Sequence, residues 1–283
     1  MNKAILLISS PDKKGIIAKI SNFIYDNNGN IEHSDQHIDS QTNTFFMRIE
    51  WSLDGFNIKR EDILSSLKPL IDEFNMKCSL HFSFIIPRVA IFVSKQLHCL
   101  YDLLLRHQSG QLKCEIPLII SNHSRAKQIA DFFNIKFMEF PVTPHNKALQ
   151  EKEEVNVIKA EKIDLVVLAR YMQILSSDFV REFPNRIINI HHSFLPAFAG
   201  KSPYRKAYEK GVKVIGATSH YVTEDLDKGP IIEQDTVRIS HRDSLNDLVR
   251  KGEDIEKVVL GRAVRWHLER KILVYNNKTV IFD

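Results

Sequence analysis

Glycine is scarce in this chain, 10 of 283 residues, about half the usual share of roughly 7%. The glycines that remain are expected where the backbone needs them. No G-x-G-x-x-G and no G-x-x-x-x-G-K-[ST] occurs, which excludes a standard dinucleotide or P-loop cradle, and there is no G-x-S-x-G elbow. Cysteine is limited to Cys78, Cys99 and Cys114, an odd number without a C-x-x-C pair. That argues against a disulfide framework and a structural zinc site, and for a reduced, cytoplasmic protein. No apolar run approaches the ~18 residues of a membrane span, and Met1-Asn2-Lys3-Ala4 has no signal-peptide character. Neither charge sign dominates: 39 basic against 35 acidic residues leave +4, too mild to imply nucleic acid. What is present is globular: 43% hydrophobic and 26% charged residues suit packed cores, and the length predicts about two domains.

The two parts differ in rhythm. Residues 4–9 read as a short buried strand, and Ile16, Ile17, Ile20, Phe23 and Ile24 recur at helical spacing after Gly15. Residues 31–39 and 44–51 read as strands around a Gln41-Thr42-Asn43 turn, 61–75 as an amphipathic helix and 76–84 as a last strand. That order, βαββαβ, is the ferredoxin-like unit. It assigns 1–84 to a first domain and 85–87, ending in Pro87, to a linker. From 88 to 283 strands and helices alternate, with strands at 88–93, 116–121, 136–140, 163–169 and 186–190. Alternation predicts a doubly wound, mainly parallel, Rossmann-like α/β sheet, whose ligand sits beyond the carboxyl ends of its strands. Residues 212–223 and 230–239 read as longer, partly antiparallel strands, and 244–270 as a charged helix broken near Gly252.

Three clusters carry potential chemistry. In Asn189-Ile190-His191-His192-Ser193, strand alternation puts Asn189 and His191 on one face. An amide donor beside a proton-transfer group suits a reaction that builds negative charge on a carbonyl oxygen. The plainer alternative is a strand-end histidine bonded to a loop. The acidic turn from Tyr221 to Pro230 offers Glu224, Asp225 and Asp227. Such turns are usually just solvated, but Asp227 is placed to point inward and orient a histidine as the third group of a triad does. His220, just before it, reads as a buried histidine. Ala169-Arg170-Tyr171-Met172-Gln173-Ile174-Leu175 follows the strongest strand. It reads either as an apolar slot gripping a flat heterocycle through backbone groups or as ordinary core. His33 with His37, and His191 with His192, lack a third ligand, so no metal is expected. Cys99 reads as a small buried hydrophobe rather than an activated thiol.

Asn189-Ile190-His191, Ser193-Phe194-Leu195-Pro196, Ala217-Thr218-Ser219-His220-Tyr221-Val222 and Asp225-Leu226-Asp227-Lys228-Gly229-Pro230 together resemble the core of the folate-dependent formyltransferase superfamily. Ala169–Leu175 resembles its folate-binding loop. Pro11-Asp12-x-x-Gly15-Ile16 and Gly29-Asn30-Ile31 resemble an ACT domain. An ACT domain fused to this catalytic domain is the layout of the family's deformylases. The resemblance implies hydrolysis of 10-formyltetrahydrofolate to tetrahydrofolate and formate, which feeds purine synthesis, with Asn189, His191 and Asp227 catalytic and no cofactor or metal. Met172, Gln173, Ile174, Leu175, Val222, Thr223, Asp225 and Leu226 would hold the folate. It also implies a homo-oligomer, a dimer or tetramer, and an amino-acid effector near Asp12, Gly15, Ile16, Asn30 and Ile31. Which of His191 and Asp227 accepts the water proton stays open. The runner-up is formyl transfer to an amine such as glycinamide ribonucleotide. That needs a phosphate cradle after the first strand, yet Phe92–Cys99 contains no glycine, so its N–H groups turn poorly onto an anion. Lys95 remains there as a point charge. A third reading, a non-catalytic sensor, has no use for the intact Asn189–His191–Asp227 set.

Overall fold

The computed structural model describes residues 2–196 and 203–283, and the chain divides into two compact units. The first runs to Ile86 and takes in Glu269–Tyr275 and Val280–Asp283. Strands β1 (Lys3–Pro11), β2 (Asn30–Asp39), β3 (Thr44–Ser52) and β4 (Lys77–Phe82) form an antiparallel sheet in the order β2-β3-β1-β4. Helices α1 (Ile16–Asp26) and α2 (Ile63–Phe74) contribute Ile16, Ile20, Ile24, Ile63, Leu67 and Phe74 to one core with Leu6, Ile8, Phe45 and Trp51. This is the expected βαββαβ unit.

The unbroken apolar run of β1 has a second consequence. Leu7 alternates onto the sheet's other face, where Phe46 also lies, and that face must be covered too. The cover is the chain's end. Strands β12 (Ile272–Tyr275) and β13 (Lys278–Ile281) pair with each other, and Val280 and Phe282 pack on Leu7 and Phe46, with Leu273 and Tyr275 at the margin. Buried Arg48 donates from Nε to the Arg270 carbonyl at 3.0 Å and from Nη2 to the Glu269 carbonyl at 3.2 Å. The sequence places all of 88–283 in one domain; the packing returns 269–275 and 280–283 to the first unit.

The second unit holds the seven-stranded sheet β11-β10-β9-β8-β5-β6-β7. β5 (Arg88–Val93), β6 (Glu115–Ser121), β7 (Lys136–Glu139), β8 (Leu165–Leu168) and β9 (Ile187–His191) are parallel. β10 (Val214–Tyr221) and β11 (Ile231–Arg238) close one side antiparallel. Helices α3 (His98–Gln108), α4 (Lys127–Phe132), α5 (Lys147–Ala160) and α6 (Ser177–Glu182) make the crossovers. The chain steps outward from β5 to β7 and then returns to lay β8 on the other side of β5. The carboxyl ends of β5 and β8 are therefore the point where the winding reverses and a crevice opens. After α7 (Pro203–Lys210), α8 runs unbroken over Leu245–Leu268, so the break expected at Gly252 does not occur. Gly252 serves packing instead: a Cβ there would lie 2.2 Å from the Tyr204 ring. No helix among the described residues is long and apolar enough to cross a membrane.

Candidate active site

Strand β9 ends in the crevice and carries Asn189 and His191 on one face. In the β9–β10 register, Asn189 lies directly opposite His220, so the two side chains are cross-strand neighbours. His220 Nδ1 is 2.9 Å from the Tyr221 carbonyl and Nε2 is 3.2 Å from Asn189 Nδ2. A carbonyl only accepts, so Nδ1 carries the proton and Nε2 accepts from the Asn189 amide. Burial lowers the pKa of His220, consistent with a neutral ring. The sequence presents His220 as a core histidine. Buried it is, but its work is to fix which way the Asn189 amide faces. Only the antiparallel register, which no local pattern encodes, places it there.

The acidic turn returns to the same spot. Gly229 makes this possible, because a Cβ there would lie 1.8 Å from the Tyr221 carbonyl oxygen. With the turn pressed onto the end of β10, Asp227 adopts φ 56° and reaches inward. Its Oδ1 lies 3.3 Å from His191 Nδ1 and 3.7 Å from His220 Nε2. The hydrogen bond from His191 outweighs burial and holds the Asp227 carboxyl below its ordinary range. His191 is buried, and its Nε2 has no hydrogen-bond partner among the described residues. An imidazole with Nδ1–H on a carboxylate and Nε2 uncommitted can take a proton from water.

A cavity of about 580 Å³ opens on this group. Met172, Gln173, Ile174, Leu175, Val222, Thr223 and Leu226 line it, beside Asn189, His191 and Asp227. The loop after β8 is pinned by Ser94, whose Oγ accepts from the Met172 N–H at 3.0 Å and donates to Asn122 Oδ1 at 2.7 Å. Of the residues expected to hold folate, Asp225 alone is not in the wall. It is exposed in the turn, where its carbonyl accepts from the Lys228 N–H and the Thr223 hydroxyl, while Glu224 lines the cavity instead. Burial and the Arg170 charge push His192 down to about 4.

The glycine-free stretch after β5 is filled by side chains. Gln96 Oε1 accepts from Arg170 Nη2 at 2.8 Å, and His98 Nε2 is 2.7 Å from Glu256 Oε2. Burial alone would raise Glu256; the His98 hydrogen bond and the Arg170 charge hold it below its ordinary value. His98, Cys99 and Glu256 are close enough to share a metal ion. The chemistry does not fit one: burial pushes the Cys99 thiol well up, and Glu256 is already committed to His98, Arg170 and Tyr204.

In the first unit, the residues expected to bind an effector do not converge. Asp12 follows the Pro11 end of β1, and Gly15, at φ 95°, caps the start of α1 beside it. Asn30 and Ile31 begin β2 opposite Ser52 and Trp51, whereas Pro11 lies opposite Thr44. The eight-residue separation along β3 puts the two groups at opposite ends of the sheet, roughly 26 Å apart.

An ACT domain and a formyl transferase domain are the two classes these folds define. The ACT model matches residues 4–72 and the formyl transferase model 87–264. Among curated proteins, formyltetrahydrofolate deformylase of Synechocystis sp. is 57% identical over 99% of this chain and 98% of its own length. That of Bacillus subtilis is 47% identical over 100% and 94%. A crystal structure of a formyltetrahydrofolate deformylase from Pseudomonas syringae covers the whole chain and 95% of its own at TM-score 0.97 and 45% identity. Glycinamide ribonucleotide transformylase 1 from Symbiobacterium toebii covers 72% of this chain and 98% of its own at TM-score 0.67 and 30% identity. The chain belongs to the formyltetrahydrofolate deformylase family.

Proposed function

We propose that the chain hydrolyses 10-formyltetrahydrofolate to tetrahydrofolate and formate, with Asn189, His191 and Asp227 as the catalytic groups. One observation carries the assignment of roles. His191 is held through Nδ1 by Asp227 and has an uncommitted Nε2 on the strand face it shares with the oriented Asn189 amide, in the lining of a cavity large enough for a pterin. The pterin lies against Met172, Gln173, Ile174, Leu175, Val222, Thr223 and Leu226. Water attacks the formyl carbon while His191 Nε2 takes its proton, and the Asn189 Nδ2–H donates to the oxyanion that develops. The C–N10 bond then breaks, His191 returns the proton to N10, and formic acid leaves and ionises to formate. Because Asn189 and His191 meet the developing charge, this route uses no metal and no organic cofactor.

A second reading, transfer to an amine, draws on one observation. A further cavity of about 370 Å³ shares Arg170, Met172 and His192 with the first. The deciding experiment measures formate and tetrahydrofolate released from 10-formyltetrahydrofolate with no amine present. Equal amounts of both support hydrolysis. Turnover only after glycinamide ribonucleotide is added makes the protein a transferase. The first unit supports self-association in a cytoplasmic enzyme. Because Asp12, Gly15 and Ile16 lie a sheet's length from Asn30 and Ile31, an amino acid touching both groups would sit between two copies.

A further inference from the structure

Glu154 has no part in the chemistry above, yet it is the least expected side chain in the second unit. It lies on α5 with no exposed surface. Its Oε1 accepts from the Tyr171 hydroxyl at 3.1 Å, and its Oε2 is buried with no partner among the described residues. Glu151, one turn earlier on the same face, accepts from the Ser176 N–H at 3.1 Å. Tyr171 and Ser176 bracket the Met172–Leu175 wall of the large cavity. Ser176 is also the N-cap of α6, its Oγ accepting from the Phe179 N–H at 3.2 Å. Tyr171 is fixed further by an edge-on contact with Phe92 at 5.2 Å. Two carboxylates on one helix face thus grip both ends of the loop. A carboxylate buried this deeply with half its acceptors unused is costly unless it carries a proton.

We propose that Glu154 is a positioning residue for the folate: through Tyr171 it anchors the Arg170–Ser176 loop to α5 in its proton-bearing form, and so makes folate affinity sensitive to pH near neutrality. This rests on the reading of the large cavity as the folate site. Burial, and then the Glu151 charge, raise Glu154 from its ordinary 4.5 to about 7, against the lowering effect of the Tyr171 hydrogen bond. The groups facing it are Tyr171 from the loop and Glu151 from its own helix, with Lys147 Nζ beyond, 3.7 Å from Glu151 Oε1. An acid whose folded value lies above its unfolded one favours the closed arrangement while protonated. That advantage drains away as pH rises from about 4.5 through 7. Above pH 7 a bare charge faces Glu151 in the core; the Tyr171 hydroxyl still donates to it, so the charge is relieved only when the loop parts from α5 and admits water to Glu154.

The test is the dissociation constant of tetrahydrofolate, with kcat for 10-formyltetrahydrofolate, at pH 6 and pH 8.5. In the wild-type enzyme the dissociation constant rises severalfold between the two. Glu154→Gln keeps the acceptor for Tyr171 without the charge, so it binds at pH 8.5 as the wild type does at pH 6. Glu154→Leu strands the Tyr171 hydroxyl and weakens binding about tenfold at both pH values, leaving kcat at saturation within about twofold. Adding Tyr171→Phe to Glu154→Leu makes it no worse, since both partners are then apolar. A pH response in Glu154→Gln equal to that of the wild type, or an unchanged affinity in Glu154→Leu, overturns the proposal. Ile174→Asp, an exposed cavity substitution, separates the two readings. If it weakens folate while the Glu154 variants do not, the anchor fails and the cavity assignment stands; if it does not, the cavity assignment itself fails.

Discussion

Asp227→Asn is the most informative single substitution, because it removes a charge and little else. Asp227 Oδ1 lies 3.3 Å from His191 Nδ1, and its side chain is 20% exposed. When His191 takes the water proton, a full positive charge appears beside that carboxylate. At 3.3 Å and an effective dielectric of about 20 the attraction is roughly 5 kcal/mol, and about 4 after discounting for partial exposure. Asparagine forfeits this, and its amide can also turn its NH₂ towards Nδ1, which opposes the productive tautomer. A loss of about 4 kcal/mol in the transition state is a drop of roughly 10³ in kcat. The KM should move less than about threefold, since Asp227 is committed to His191 and is not part of the apolar wall. Single-turnover formate release, alongside a thermal melt that shows the variant folded, measures it. A folded Asp227→Asn enzyme that keeps more than a tenth of the wild-type kcat refutes the role given to Asp227. The carboxyl of Asp227 is held below its ordinary value, so it stays ionised through the working range. Its support is present above pH 4 and lost only as pH falls further.

Other expectations follow from single contacts. His220→Ala leaves the Asn189 amide unpartnered and free to turn, which should lower kcat about 10- to 100-fold with a small change in KM; His220→Gln, which restores an acceptor, should recover part of it in the same assay. Gly229→Ala forces the acidic turn off the Tyr221 carbonyl, so it should cut kcat at least about tenfold by displacing Asp227, with Met172–Leu175 still binding tetrahydrofolate. Phe282→Ala empties the cover over Leu7 and Phe46 and should cost about 3 kcal/mol in denaturant unfolding of the first unit; a change under about 1 kcal/mol would mean the chain's end is only loosely applied.

Much of the architecture was written in local pattern. Period-two and period-3.6 apolar spacing specify the βαββαβ unit and the alternating second unit, because each element must bury one face whatever its partner. Asn189 and His191 share a face for the same reason, and the missing glycines after β5 speak against a phosphate cradle through backbone geometry alone. The tertiary structure decided whatever depends on residues far apart in the chain. His220 became the partner of Asn189 through strand register, and Asp227 reached His191 because Gly229 lets the turn close on β10. Asp225 turned outward by the geometry of the same turn, and Glu154 found Tyr171 across a crossover. Residues 269–275 and 280–283 joined the first unit because Leu7 and Phe46 left an apolar face on which Val280 and Phe282 pack. Side-chain alternation is a property of one strand, whereas a hydrogen bond between two strands exists only once the sheet has chosen its register.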